Sequence, residues 1–345
     1  HHSFKWSNSA TRNAGVTCVI IGISPRIKKR KKILYGSDYF KEVQNINSYL
    51  IDGLDIYVES HPSPFVKILP PMWTGSVPND GGNLILNIYE VNKLKSMEGG
   101  WNFIHPFFGS EDYLHGTSRY CLVIPDDEVN NARRIKSIKE RLDAVSALRI
   151  KSPKKETREQ LSKVPHRFQH RGDIPERSAI IIPSVSSERR EWFPTGLMDA
   201  GTVISNLAFL ISDAPLWNMA LIASRLHLVW IATVCGKLET RYRYSNTLGW
   251  NTFPVPFLTE QNKADLTRCA ENILLAREVH FPATIADLYD PEAMPDNLRA
   301  AHAHNDEVLE RIYIGRRFKN DTERLEKLFQ LYTQMTATTP ASAAT

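Results

Sequence analysis

The chain has 345 residues, 42% hydrophobic and 10% aromatic, which suits ordinary packed cores in two or three domains. No apolar run approaches the roughly 18 residues that a membrane span needs, and no charged-then-apolar leader marks secretion. Four widely spaced cysteines (Cys18, Cys121, Cys235, Cys269) without a Cys-x-x-Cys argue against a zinc site or disulfide frame and for free thiols in a reducing cytoplasm.

The net charge is +5, unevenly spread. Residues 119–190 hold 17 Lys+Arg against 10 Asp+Glu, whereas residues 256–345 hold 10 against 14. A basic middle with an acidic tail is the footprint of a polyanion-binding chain, or of a surface that is merely solvated.

In chain order, Phe4-Lys5-Trp6-Ser7-Asn8 reads as a turn with an aromatic pair. Val16–Ile23 is a nearly continuous apolar run, as in a strand covered on both faces. Almost nothing precedes it, so it is expected to be the trailing edge of a larger domain. Arg26 to Lys32 places six cations in seven residues, including Lys28, Lys29, Arg30 and Lys31. This segment is a charged loop for phosphate contact or a solubilising tip. Leu69-Pro70-Pro71-Met72-Trp73 has the outline of an adenine methyltransferase Asn/Asp-Pro-Pro-aromatic motif. Leu69 cannot accept the hydrogen bond from the target amino group, so the motif is a decoy. Asp80-Gly81-Gly82 is turn chemistry and leads into an expected strand over 83–88.

Arg119–Ile124 reads as a buried strand, and Asp126 after Pro125 as a helix start. Ile135, Ile138, Leu142, Val145 and Leu148 then recur at helical spacing. Residues 152–177 are basic and aperiodic, with Arg167 and Arg171 among an aromatic and histidines, as in recognition loops. Residues 179–183 form a short strand that leads into Ser184 and on to Glu188, Arg189 and Arg190. Residues 217–234 read as one buried helix ending near Gly236. From Lys237, the alternation of Arg241, Tyr242, Arg243 and Tyr244 puts cations on one side of an extended segment and phenols on the other. The remainder is helical, with Asp321 as an expected N-cap and a small, polar tail over 337–345. His302, His304 and Asp306 suggest a metal site, but 304 points away from its helical neighbours, which favours a structural His302 beside Asp306.

Several of these stretches carry a family resemblance. Phe4-Lys5-Trp6-Ser7-Asn8 with the run to Gly22, Gly75-Ser76 with Asp80-Gly81-Gly82, Ser186-Ser187-Glu188, Gly236-Lys237-Leu238 and Met294-Pro295 resemble the C-terminal part of MmeI-like restriction–modification enzymes. These join an endonuclease, an adenine-N6 DNA methyltransferase and a target-recognition region in one chain. The resemblance extends to about Met335. It implies an α+β fold in which residues 1–60 end a methyltransferase core, 61–255 form a target-recognition domain and 256–336 a helical domain. Its implied partners are double-stranded DNA and the N-terminal methyltransferase and endonuclease domains. It further implies that Phe4 or Trp6 stacks on a flipped adenine. Neither a glycine-rich S-adenosylmethionine turn nor a catalytic Asn/Asp-Pro-Pro-aromatic is found. S-adenosylmethionine, and Mg²⁺ for cleavage, are therefore expected in the parent enzyme, with this part inactive alone. The alternatives are a His-dependent hydrolase using His166, His302 or His304, and an interaction domain that does not bind DNA.

Overall fold

The computed structural model describes residues 4–6, 16–25, 31–35, 40–53, 55–96 and 100–338, with backbone alone for 4–6, 16, 17 and 338. The fold is mixed α+β. At the N-terminus β1 (Phe4–Trp6) pairs antiparallel with β2 (Val16–Cys18). The expected buried strand over 16–23 is therefore shorter than its apolar run. Beyond Cys18 the chain leaves the ladder, and Ile20 and Ile23 stand 80% and 94% exposed, with no strand pairing them among the described residues. A hairpin of β3 (Lys32–Tyr35) and β4 (Phe40–Val43) follows.

β5 (Trp73–Thr74) and β6 (Ile85–Leu86) come next. The strand expected over 83–88 is cut to two residues by α1 (Ile88–Lys95). Asn87 and Glu90 form a reciprocal capping box that starts this helix, a local signal strong enough to override strand propensity. β7 (Ile104–Phe108), α2 (Ser110–His115) and β8 (Arg119–Leu122) follow, then α3 (Val129–Arg134) and α4 (Lys136–Ile150). The buried positions of α4 are Ile138, Leu142, Val145 and Arg149. Leu148, expected in the core, is exposed instead. After α5 (Lys155–Glu159), the strands β9 (Ser178–Pro183), β10 (Val185–Ser186), β11 (Gly196–Asp199), β12 (Val203–Ile204) and β13 (Ala208–Ser212) build the centre.

Two four-stranded sheets carry this middle region. One has the order β11-β9-β13-β5, with β9 and its buried Ile180, Ile181 and Ile182 inside. The other has the order β12-β7-β8-β6 and packs under α4. The single helix expected over 217–234 is two, α6 (Trp217–Ile222) and α7 (Arg225–Val234). Ser224 breaks the run by capping α7 through a hydrogen bond from the His227 N–H. The hairpin β14 (Lys237–Leu238) and β15 (Arg241–Arg243) leads into α8 (Glu260–Glu278), α9 (Ile285–Leu288), α10 (Asp296–Ile314) and α11 (Asp321–Thr338). Asn320, not Asp321, caps α11 by accepting from the Glu323 N–H at 2.9 Å. That helix runs through 338, past the expected start of the tail at 337, and 339–345 lie outside the described residues. One continuous apolar core joins β9 and β13 to α6, α7, α8, α10 and α11. Among the described residues, no helix is long and apolar enough to cross a membrane.

Candidate nucleic-acid interface

The two segments with the most patterned cations meet in one small sheet. β15 pairs with both β14 and β10, placing Arg243 opposite Val185 and Tyr242 opposite both Ser186 and Lys237. Period-two alternation then sorts the side chains. Lys237, Arg241 and Arg243 are exposed, Tyr242 is half-buried and Tyr244 is buried. The Tyr244 hydroxyl lies 2.9 Å from His227 Nε2, and its ring packs against Phe193 and Phe209. Burial pushes the His227 pKa down to about 3 and that of Tyr244 well up, so both stay neutral. Arg241 reaches Glu239 at 3.0 Å. Lys237 and Arg243 have no side-chain partner among the described residues.

The other three candidates, Glu188, Arg189 and Arg190, have different surroundings. Glu188 is half-buried near Tyr242. Arg189 bridges to Glu292 at 2.6 Å. Arg190 is half-buried, donates to Ser186 Oγ at 3.2 Å, and has its pKa lowered by desolvation.

A second basic surface lies on the loop between α5 and β9. Arg167 clasps Asp126 through two hydrogen bonds, and His166 Nε2 reaches the same carboxylate at 2.8 Å. The Arg167 and His166 bonds hold the Asp126 carboxyl far below the usual range. Both Arg167 and Asp126 are well exposed, and exposed pairs are weak. A phosphate could therefore draw Arg167 away. Arg171 is exposed without a partner among the described residues, and it walls two open clefts at once. One, of about 590 Å³, also holds Asp126, His166 and Arg167. The other, of about 730 Å³, also holds Trp73 and His170.

Arg149 holds this loop from beneath. Fully buried, it donates to the carbonyls of Asn79, Leu161, Val164, Pro78 and Arg167 at 2.8–3.2 Å. All five guanidinium donors are used, so the buried cation is satisfied without a carboxylate bonded to it. Desolvation lowers its pKa, and the nearby Asp80 opposes the shift. Sequence reasoning singled out neither Arg149 nor Trp73. Arg149 does continue the 138-142-145 spacing of the buried face, and that was the available signal. Trp73 lay in the decoy motif, with nothing local to show that its ring is exposed.

The remaining candidates separate from these surfaces. Lys28, Lys29 and Arg30 lie outside the described residues. Lys31 pairs with Glu42 at 2.8 Å beside the β3–β4 hairpin. Phe4 and Trp6 are placed by backbone alone, opposite Cys18 and Val16. His302 is structural, but its partner is Tyr289 rather than Asp306. Its Nε2 lies 2.6 Å from the Tyr289 hydroxyl and its ring stacks on Trp192, whose Nε1 donates to Asp306 at 2.7 Å. Among the described residues, no group of three His, Cys, Asp or Glu could hold a metal ion.

Residues 52–257 match the family described as the MmeI target recognition domain, 258–339 the MmeI C-terminal domain, and 1–36 the MmeI DNA-methyltransferase domain. DNA methyltransferase A of Bacillus subtilis (strain 168) is 38% identical over 340 residues, which cover 97% of this chain and 38% of that protein. The solved structure of the type IIL restriction-modification enzyme MmeI in complex with DNA aligns with a TM-score of 0.85 at 32% identity, over 97% of this chain and 45% of that one. The chain thus spans less than half the length of either relative. On the strength of the recognition-domain match alone, which covers more than half of its residues, the chain belongs to the MmeI family of restriction–modification enzymes.

Proposed function

We propose that this chain supplies sequence-specific recognition of double-stranded DNA to an adenine-N6 methyltransferase and restriction enzyme. The observation that carries this reading is the match of residues 52–257 to a target recognition domain, on a scaffold similar to an enzyme solved with DNA. The geometry agrees with that role. Rigid strands and a clipped loop present Lys237, Arg241, Arg243, Arg167 and Arg171 outward. Arginines suit guanine edges and phosphates, and Glu188 suits a cytosine amino group. Arg189 and Arg190 contribute less directly in this reading, since Arg189 is paired with Glu292 and Arg190 is half-buried against Ser186.

S-adenosylmethionine, the divalent metal for cleavage and the methyl-transfer chemistry are assigned to the N-terminal domains of the parent enzyme. Phe4 or Trp6 would stack on the extruded adenine once those domains complete the sheet. A hydrolase using His166, His302 or His304 is disfavoured, because His302 is buried and spent on Tyr289, His304 is exposed on the same helix, and His166 is buried against an Asp126 already clasped by Arg167.

The test is fluorescence anisotropy of the chain with labelled duplexes over a salt series. Affinity should fall with log salt at a slope of about −0.9 per phosphate contact. Selection from random duplexes should enrich one motif. Binding that is absent, or insensitive to salt, would refute the reading. Incubation with DNA and labelled S-adenosylmethionine should leave the DNA unlabelled.

A further inference from the structure

Among the described tryptophans, Trp192, Trp217, Trp230 and Trp250 are buried, and two are exposed: Trp101 at 62%, and Trp73, which leaves 52% of its surface to solvent. Trp73 is nevertheless rigidly mounted. Its strand pairs with β13, Leu210 lying opposite Trp73. Gly75 donates to the Ala208 carbonyl at 3.1 Å and Ser76 to the Ile204 carbonyl at 2.6 Å. The loop that carries His170 and Arg171 is strapped to the same backbone. Val77 and His170 exchange hydrogen bonds of 2.8 and 3.3 Å, and the Gly172 N–H donates to Ser76 Oγ at 3.0 Å. A Cβ on Gly172 would meet the Thr74 carbonyl oxygen at 3.1 Å, so the loop and the strand approach closely here.

An indole, an imidazole and a guanidinium without a partner among the described residues thus line one open cleft. Its volume of about 730 Å³ suits a nucleotide-sized group. The aromatic surface matches a flat ring, and the guanidinium matches a phosphate. Asp173, on the same cleft, disfavours a second phosphate and leaves an acceptor for a base amino group.

We propose that Trp73, His170 and Arg171 form a nucleotide subsite of the DNA interface, in which Trp73 packs on the ring of one nucleotide and Arg171 takes its phosphate. The subsite rests on the DNA-binding reading above and locates one contact within it. The ring is either a base or a deoxyribose, both of which present a face to indole.

The experiment measures duplex affinity of the chain and of Trp73→Ala, Trp73→Phe and Arg171→Ala, with thermal melting as the folding control. Trp73→Ala should weaken binding about 5- to 150-fold, the range of an aromatic–base stack. Trp73→Phe should recover most of the loss, which a merely structural role at a half-exposed edge would not predict. Arg171→Ala should lower the salt slope by about one phosphate contact. Abasic nucleotides scanned along the duplex identify the ring. If one position erases the difference between wild type and Trp73→Ala, the ring is a base; if none does, it is a sugar. Folded Trp73→Ala that binds within twofold of wild type overturns the subsite alone. A wild-type chain with no salt-dependent duplex binding overturns the subsite and the DNA-binding reading together.

Discussion

Replacing Arg149 by methionine removes one buried cation and exposes how far the recognition loop depends on it. Methionine replaces the aliphatic stem but ends short of the guanidinium, so the whole set of donors is lost. What changes is the fate of five carbonyls. Those of Leu161 and Val164 also accept backbone bonds from Val164 and Arg167. Those of Pro78, Asn79 and Arg167 have no other donor among the described residues. Leaving a buried acceptor unpaired costs about 1–3 kcal/mol, so three set an upper range of about 3–9 kcal/mol. These carbonyls lie in loops that can relax towards water, which places the expected loss near the lower end, about 3–5 kcal/mol. Lysine has three donors and no fork, so Arg149→Lys should fall between methionine and wild type. Urea unfolding would read the difference as a shift of midpoint at constant slope. Duplex affinity should fall as well, because the Arg167 backbone loses its anchor. A loss under about 1 kcal/mol for Arg149→Met would refute the claim that this side chain holds the loop.

Three other predictions follow from particular contacts. Burial raises the Asp306 pKa to about 6, with Glu310 adding to the rise and the Arg225 N–H, Trp192 and Arg324 opposing it. The folded state therefore keeps a proton that the unfolded state, near pH 4, has lost. This group's contribution to stability declines as pH rises from about 4 to 6 and is level above that; Asp306→Asn should flatten that window in urea titrations, and an unchanged pH profile would count against a buried, protonated Asp306. Gly172→Ala should destabilise by about 1–3 kcal/mol through overpacking against Thr74, readable in thermal melts, with no loss if the strap is loose. Arg243→Ala and Lys237→Ala should weaken all duplexes alike and shallow the salt slope if they meet phosphates. A base-reading Arg243 would instead cost about 1–3 kcal/mol at one base pair, a distinction that binding to a panel of single-base variants resolves.

Local chemistry in the sequence was enough for whatever depends on neighbours along the chain. The Arg241-Tyr242-Arg243-Tyr244 alternation sorted cations from phenols because a strand's period of two is a local property. The strand at 179–183 was legible from its β-branched run, and the family from short motifs that persist as strings. The same local logic, read incompletely, misplaced the strand over 83–88 and the unbroken helix over 217–234. In both cases one capping side chain, Asn87 or Ser224, outweighed a longer apolar pattern. What tertiary structure alone decided is which polar groups are consumed by distant partners. Arg189 and Arg241 look alike in sequence, yet Arg189 is tied to Glu292, 103 positions away, while Arg241 reaches Glu239, two positions away. Arg149 falls in sequence on the apolar face of its helix, but only the fold makes it the buried anchor of three loop segments. Trp73, in sequence only the end of a Pro-Pro motif, is half exposed on the edge strand of its sheet. A hydrogen bond or an exposed ring face is a property of two chain segments meeting in space, and neither segment carries it alone.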